Sequence, residues 1–240
     1  MPERAALVTG ASSGIGYEIA RMLGGEGHGL TVASRRPEKI AEAAERLRAA
    51  GYEVEDVAAN MADEADIQRV VAAHRDRWGR LDVLVNSAGV GVGATVDEVV
   101  AKRVDLQLDV NIRSIILFYR ECAGLLRAAG AEHGNALVVN MSSYSGKAGQ
   151  AWLSVYSATK AAVIGWTQAM NKELASQGVK SVALCPGFVD TAMTEFIREQ
   201  VPQEDMIRVE DVSEAVRFLL KTSPNCVVPE IVFQRPAEGL

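Results

Sequence analysis

Residues 9–16 read TGASSGIG; they follow the apolar run AALV at positions 5–8 and lead straight into IGYEIARMLGG at 15–25. A strand, a glycine-rich turn and a helix in direct succession form the context in which such a turn carries meaning. The three glycines answer different needs: Gly10 allows a tight exit from the strand, Gly14 lets backbone come close to a ligand, and Gly16 permits close packing of the helix. The first N–H groups of that helix have no partners within it and sit at the positive end of its dipole, so the turn suits a pyrophosphate.

Working outward, six further short apolar runs recur: GLTVAS (29–34), YEVEDVAA (52–59), LDVLVNSAG (81–89), NALVVNMSS (135–143), VKSVALCPG (179–187) and EIVFQ (230–234). Most are separated by amphipathic stretches rich in Ala, Glu, Arg and Leu. Near-continuous apolar strands alternating with helices predict α/β architecture, a doubly wound parallel sheet of seven strands with helices on both faces. Helix punctuation agrees: Pro37 opens PEKIAEAAERLRAAG and Gly51 closes it, while MADEADIQRVVAAHRDRWG has acids in its first turn, bases in its last and Gly79 at its end. No repeat or Pro/Ser-rich linker divides the 240 residues, so residues 1–240 are expected to form one domain.

Composition narrows the function. A net charge of −6 supplies no positive field for a phosphate backbone or an anionic bilayer, which argues against nucleic-acid and membrane partners. No apolar run approaches membrane-spanning length, and the first strand begins at Ala5, leaving no room for a secretory leader. Cys122, Cys185 and Cys226 are widely spaced and odd in number, which fits reduced thiols and a cytoplasmic location. His28, His74 and His133 lack ligand spacing, so no metal is expected.

The stretch SVYSATKAAV (154–163) places Tyr156 and Lys160 four residues apart among small side chains. On a helix such a pair shares one face, about 5–6 Å apart at Cβ. An ammonium nearby stabilises a phenolate and draws a phenol that ordinarily titrates near 10 toward working pH. Alone, the pair also fits an amphipathic helix with an interfacial tyrosine and a snorkelling lysine.

The glycine spacing G-x-x-x-G-x-G, the YxxxK pair and several segments between them resemble the short-chain dehydrogenase/reductase family, in its classical branch. VNSAG (85–89) is similar to that family's NNAG, with Ser87 replacing the second amide; LDVNIRS (108–114) carries its VN position; VVNMSSYSG (138–146) sets Ser143 thirteen residues before Tyr156; CPGFVDT (185–191) matches its PG turn and threonine. The resemblance implies a Rossmann fold binding a nicotinamide dinucleotide, with Gly10, Ser12, Ser13, Gly14, Ile15 and Gly16 around its phosphates. Asn60 is expected to bond the adenine amine and Met61 to contribute backbone. Asn86, Ala88 and Gly89 are expected to form a further turn against the cofactor, Pro186 and Gly187 the PG turn beside it, and Val189 with Thr191 is expected to fix the nicotinamide amide. In VASRR (32–36) Ser34 stands where NAD-using members need an acid, and Arg35 and Arg36 follow; arginine offers a planar fork to a 2′-phosphate, so NADP(H) is expected in preference to NAD(H).

The roles implied are Tyr156 as general acid in carbonyl reduction and base in the reverse, Lys160 lowering its pKa and bonding the nicotinamide ribose, and Ser143 polarising the carbonyl. Asn111 would hold a water in a proton relay. An NADP(H)-dependent oxidoreductase acting on a small carbonyl or alcohol is the expectation, and an NADP(H)-sensing binding protein of the same fold without significant turnover is the alternative. The substrate would meet residues 90–94, 144–153 and a loop segment at 188–209, where Tyr144, Trp152, Phe188, Met193 and Phe196 lean apolar. The end CVVPEIVFQRPAEGL lacks the Gly-rich DGG closure of many acyl-carrier-protein ketoreductases of the family, and its tail is expected to reach a neighbouring subunit. By analogy the assembly is a homotetramer or homodimer, formed through helices near 98–128 and 152–177.

Overall fold

The computed structural model describes residues 2–236; the last four residues of the tail lie outside the described residues. Seven parallel strands form one sheet in the order β3-β2-β1-β4-β5-β6-β7. They are β1 (Arg4–Thr9), β2 (His28–Ser34), β3 (Val54–Ala58), β4 (Val83–Asn86), β5 (Ala136–Met141), β6 (Val179–Pro186) and β7 (Glu230–Phe233). The helices are α1 (Gly14–Gly25), α2 (Pro37–Ala49), α3 (Glu64–Trp78), α4 (Ala101–Leu108), α5 (Ser114–His133), α6 (Ser154–Leu174) and α7 (Val209–Leu220). All seven predicted strands and both predicted surface helices are present, α3 ending against Gly79 as its spacing required.

Apolar residues fill both faces of the sheet because helices cover both. Every residue of β2, β5 and β6 is buried, which is why their sequences do not alternate. Ala6 and Val8 of β1 point toward α1, α2 and α7, packing with Ile19, Leu23, Ile40 and Val216. Leu7 points the other way, toward α3, α5 and α6, with Ile67, Phe118, Leu126 and Val163. The strand order reverses between β1 and β4, so the crevice for a ligand opens at the carboxyl ends of those two strands.

Polar staples fasten the opposite edge of the sheet. Asp82, 2% exposed, accepts the Ala5 N–H at 2.8 Å, two bonds from Arg80 at 2.9 and 2.7 Å, and one from the His133 ring at 2.9 Å. Burial pushes that carboxyl up, but Arg80, the Ala5 N–H and His133 together outweigh it and hold it below its ordinary value. Beside it, fully buried His74 meets the Arg80 carbonyl through Nε2 and the Thr31 hydroxyl through Nδ1, both at 2.8 Å. A carbonyl only accepts, so Nε2 carries the proton and Nδ1 accepts from Thr31, whose oxygen in turn takes the Trp78 indole N–H at 3.0 Å.

Burial pushes the His74 imidazole down from 6.5 to about 4, and His28 shifts the same way for the same reason. The folded chain therefore keeps His74 neutral while the unfolded chain protonates it below its ordinary pKa. Stability should fall as pH drops from about 6.5 toward 4, by on the order of 3 kcal/mol from His74 alone. Urea denaturation at pH 7 and pH 4.5 checks this: His74→Gln should be weaker than wild type at pH 7 yet lose less on acidification. Equal pH slopes for the two proteins would refute it.

Candidate functional site

The turn after β1 leaves no room for side chains. Gly10 has φ +67° and Gly14 +59°, left-handed values at which other residues are strained. A Cβ on Gly10 would lie 2.8 Å from the Ala88 backbone, and one on Gly16 would lie 2.6 Å from the Gly10 carbonyl oxygen. Gly16 thus seats α1 against the turn itself rather than against the sheet. Ser13 caps α1 without spending its side chain on the helix, which leaves the first N–H groups of the helix, near Gly14, Ile15 and Gly16, facing the crevice with Ser12 beside them. A Cβ on Gly14 would come within 3.1 Å of the Thr191 methyl, so the segment after β6 closes the far side.

The turn after β4 is fastened to this one by Thr9. Its hydroxyl accepts the N–H groups of Ser87 and Ala88 at 3.1 Å each and donates to the Val85 carbonyl at 3.3 Å. The sequence offered one signal for this residue, a hydroxyl ending an otherwise apolar buried strand, and it was not among the expected site residues. Asn86 donates to Asn140 Oδ1 at 2.9 Å, and its own Oδ1 is buried without a protein partner. The Asn140 amide continues to the Tyr119 hydroxyl at 2.8 Å and Thr167 at 3.0 Å, and Tyr119 donates to Ser181 at 2.9 Å, so buried polar groups lock β4, β5 and β6 to α5 and α6.

At the end of β2 the Ser34 hydroxyl is also buried and unpartnered. Arg35 and Arg36 beside it are exposed, and among the described residues no hydrogen bond or ion pair engages their guanidinium groups. A hydroxyl awaiting a partner next to two available cations, at the rim of a crevice whose glycines admit no Cβ, fits a phosphorylated dinucleotide. Asn60 is exposed: its N–H donates to Asp66 at 2.7 Å and its Oδ1 accepts the Ala62 N–H at 3.2 Å, while the Met61 side chain is buried.

Tyr156 and Lys160 project from α6 toward the same crevice. Near the Tyr156 phenol lies Ser143, which caps the turn Tyr144–Gly146 after β5; its hydroxyl accepts the Ser145 N–H at 3.1 Å and donates to the Pro186 carbonyl at 3.5 Å. That turn docks on α6, since a Cβ on Gly146 would lie 2.7 Å from the Lys160 backbone; this docking is the structural content of the serine-to-tyrosine spacing. Neighbouring Ser142 instead donates to the Lys160 carbonyl at 2.8 Å. The Lys160 ammonium, 3% exposed, donates to the Met141 carbonyl at 2.7 Å and lies 5.6 Å from the centre of the Tyr156 ring.

Here the electrostatics differ from the simple expectation of a phenol lowered by its lysine. Burial pushes the Tyr156 phenol up, opposed by the nearby Ser143 hydroxyl, and burial pulls Lys160 down to about 8. The reason is geometric: the ammonium is over the ring and bonded to Met141 rather than to the phenol oxygen.

Asn111 sits fully buried in a π-helical turn, Asp109–Arg113, between α4 and α5. Its side chain grips the segment after β4, with Oδ1 accepting the Val90 N–H at 2.8 Å and Nδ2 donating to the Val90 carbonyl at 2.9 Å and to Thr159 at 3.0 Å. Its amide is therefore a positioning clamp. Gly89 falls between the parts, since its Cβ would lie 3.4 Å from Lys160 Nζ and 3.5 Å from Asn111 Oδ1. Beyond β6, Pro186 is buried, Gly187 donates to the Phe233 carbonyl at 2.9 Å, and Val189 bridges Ile207.

The outer rim is apolar. Trp152 has φ +67°, which costs a non-glycine residue about 1–2 kcal/mol. Its ring lies on Gly93, whose Cβ would be 2.4 Å from ring atoms, and its carbonyl accepts the Ala94 N–H at 2.8 Å. Phe196 approaches it with ring centres 6.2 Å apart, and Met193 nearby in sequence is exposed. Phe188 instead lies under the Arg235 guanidinium, and Tyr144 belongs to the turn that Ser143 caps.

Comparison with known proteins gives a consistent result. The family model described as short chain dehydrogenase matches residues 4–202. A Streptomyces coelicolor protein, whose name gives ketoacyl reduction as a proposed activity, is 40% identical over 195 residues, 81% of this chain and 74% of its own. Two solved structures cover similar ground. An actinorhodin polyketide ketoreductase variant with NADPH is 32% identical with a TM-score of 0.87, covering 95% of each chain. A 3-ketoacyl-(acyl-carrier-protein) reductase from Brucella melitensis with NADH is 27% identical with a TM-score of 0.87, covering 96% of each. With its glycine turn, its doubly wound sheet and its Ser143, Tyr156 and Lys160 gathered in one crevice, this chain belongs to the short chain dehydrogenase family of oxidoreductases.

Proposed function

We propose that the protein is an NADP(H)-dependent reductase of ketones or aldehydes, running in reverse as an alcohol dehydrogenase. The observation that carries this reading is the Tyr156 phenol, near the Ser143 hydroxyl and one helical turn from a buried lysine whose ammonium lies 5.6 Å from its ring centre, on the same crevice as the glycine turn. Burial keeps the phenol protonated, the form a general acid must have. Ser143 would share the carbonyl oxygen with Tyr156, and Tyr156 would deliver the proton that the oxygen gains. Bound NADPH supplies the hydride that goes to the carbonyl carbon.

Lys160, pulled to about 8 by burial, is poised to restore the proton, passing it toward Tyr156 from its own ammonium. Asn111 would keep this arrangement in register by fixing Val90 and Thr159. Since its amide is engaged there, a relay water would meet the backbone of the π-helical turn, where the ordinary carbonyl ladder is interrupted. Phosphates would lie on the turn around Gly10, Ser12, Ser13, Gly14, Ile15 and Gly16, and Thr191 with Val189 would face the nicotinamide amide. Ser34, Arg35 and Arg36 would take the 2′-phosphate, which favours NADP(H) over NAD(H). The relatives' ketoacyl substrates make a ketone the first carbonyl class to try. Cys122 and Cys185 are buried free thiols and Cys226 an exposed one, in keeping with a reducing cytoplasm. Exposed Leu108 and Ile116 around the start of α5 suit assembly of a homodimer or homotetramer.

Tyr156→Phe should lower turnover by about a hundred- to ten-thousandfold while NADPH affinity stays within a fewfold. Wild-type turnover in that variant would overturn the acid role, and tight NADPH binding with no turnover of any carbonyl by wild type would favour a sensor.

Replacing Arg35 with Asp should cost about 1.5–3 kcal/mol of preference for NADPH over NADH, roughly ten- to a hundredfold in the kcat/KM ratio. A ratio that stays put would show that Arg35 does not reach the phosphate.

The ammonium form of Lys160 predominates below about 8, so the rate of reduction should decline as pH rises through that value. A pH–rate profile level from 7 to 9.5 would exclude Lys160 from the proton path.

A further inference from the structure

Trp152 carries two features that packing leaves unexplained: a left-handed backbone and an indole ring that stays more than half exposed, at 53%. Glycine would adopt this backbone without strain. The ring is nonetheless held in place, flat on Gly93, with the Trp152 carbonyl tied to the Ala94 N–H. Gly91 lies against the Tyr156 ring in the same way, its Cβ position 3.5 Å from that ring. Residues 91 and 93 are at most about 7 Å apart along the chain, so the indole sits beside the phenol on one short segment. Phe196 reaches Trp152 from the opposite side, from the 3-10 helix Ala192–Ile197 beyond β6, with its ring tilted 50° and 58% exposed. Beside this helix Asp190 pairs with Arg198 at 3.2 Å and accepts from the Gln203 amide at 2.6 Å. Two exposed aromatic rings, tilted 50° to each other, therefore span the gap between the segments that follow β5 and β6.

We propose that Trp152 and Phe196 form an aromatic clamp that selects flat, apolar carbonyl compounds, aryl or fused-ring ketones, over small aliphatic ones, with Trp152 as the specificity-determining residue. The proposal rests on the reductase reading above and names its substrate class. With ring centres 6.2 Å apart the wedge is too narrow for a third ring to lie between the faces, which needs about 7 Å, so a substrate ring packs on the open side where they diverge. The left-handed backbone sets the indole there. Its strain is the cost of holding an apolar face at the mouth of a polar site.

The test compares 2-tetralone with butan-2-one in the wild type, W152G and F196A. W152G accepts the left-handed backbone, so its melting temperature should not fall below that of wild type by more than a degree or two. Its ratio of kcat/KM for 2-tetralone over butan-2-one should fall at least tenfold, and that of F196A at least threefold. An unchanged ratio in W152G overturns the clamp even if the enzyme reduces both ketones. A second readout is independent of turnover. In Y156F, 2-tetralone should quench tryptophan emission, and adding W152F should abolish the saturable part of the quenching. If wild type reduces no carbonyl yet this Trp152-dependent quenching persists, the clamp stands and the reductase reading falls. If quenching is absent or survives W152F, the clamp falls whatever the turnover.

Discussion

The close approach of two turns, the one after β1 and the one after β4, is the constraint on which the site depends. A Cβ on Gly10 would collide with the Ala88 backbone at 2.8 Å, and the Thr9 hydroxyl binds the N–H groups of Ser87 and Ala88 across the same gap. Because both turns sit where the strand order reverses, their contact defines the floor of the crevice. One wall follows from Gly14, which lets the Thr191 segment approach, and the other from Gly89, which leaves room for Lys160 and Asn111. A side chain at Gly10 would drive the two turns apart backbone against backbone, for which a close-packed interior has no slack.

On that floor Tyr156 and Lys160 are governed by burial more than by mutual charge. Lys160 is pulled down to about 8 and Tyr156 pushed up by the same loss of water, so two equilibria that ordinarily lie close together move apart and the ammonium becomes the stronger acid of the pair. The supporting polar groups lie behind it: Asn86, Asn140, Tyr119 and Ser181 tie three strands together with hydrogen bonds of 2.8–2.9 Å, giving the side chains in front a rigid backing.

Much of this was legible in the sequence because it is encoded locally. Strands buried on both faces must be apolar throughout, helices need their caps, and a tight turn between strand and helix needs glycine, so the seven strands and the glycine turn could be read position by position. The serine-to-tyrosine spacing was visible as well, although its cause, the docking of the Gly146 turn on the backbone of α6, was not. Thr9 escaped notice because a single hydroxyl has no signature until its partners, nearly eighty residues away, are known.

What the sequence determined by itself, then, was the α/β architecture, the order of its elements and the residue types that meet at the crevice, since periodicity and spacing are properties of the chain. Tertiary structure alone decided how those residues divide the work. It placed the Lys160 ammonium over the Tyr156 ring and against Met141 rather than against the phenol hydroxyl, spent the Asn111 amide on Val90, and turned Trp152 into a left-handed conformation to face Phe196. Each of these depends on burial and on contacts between residues distant in the chain, where desolvation and steric fit, not local propensity, set the outcome.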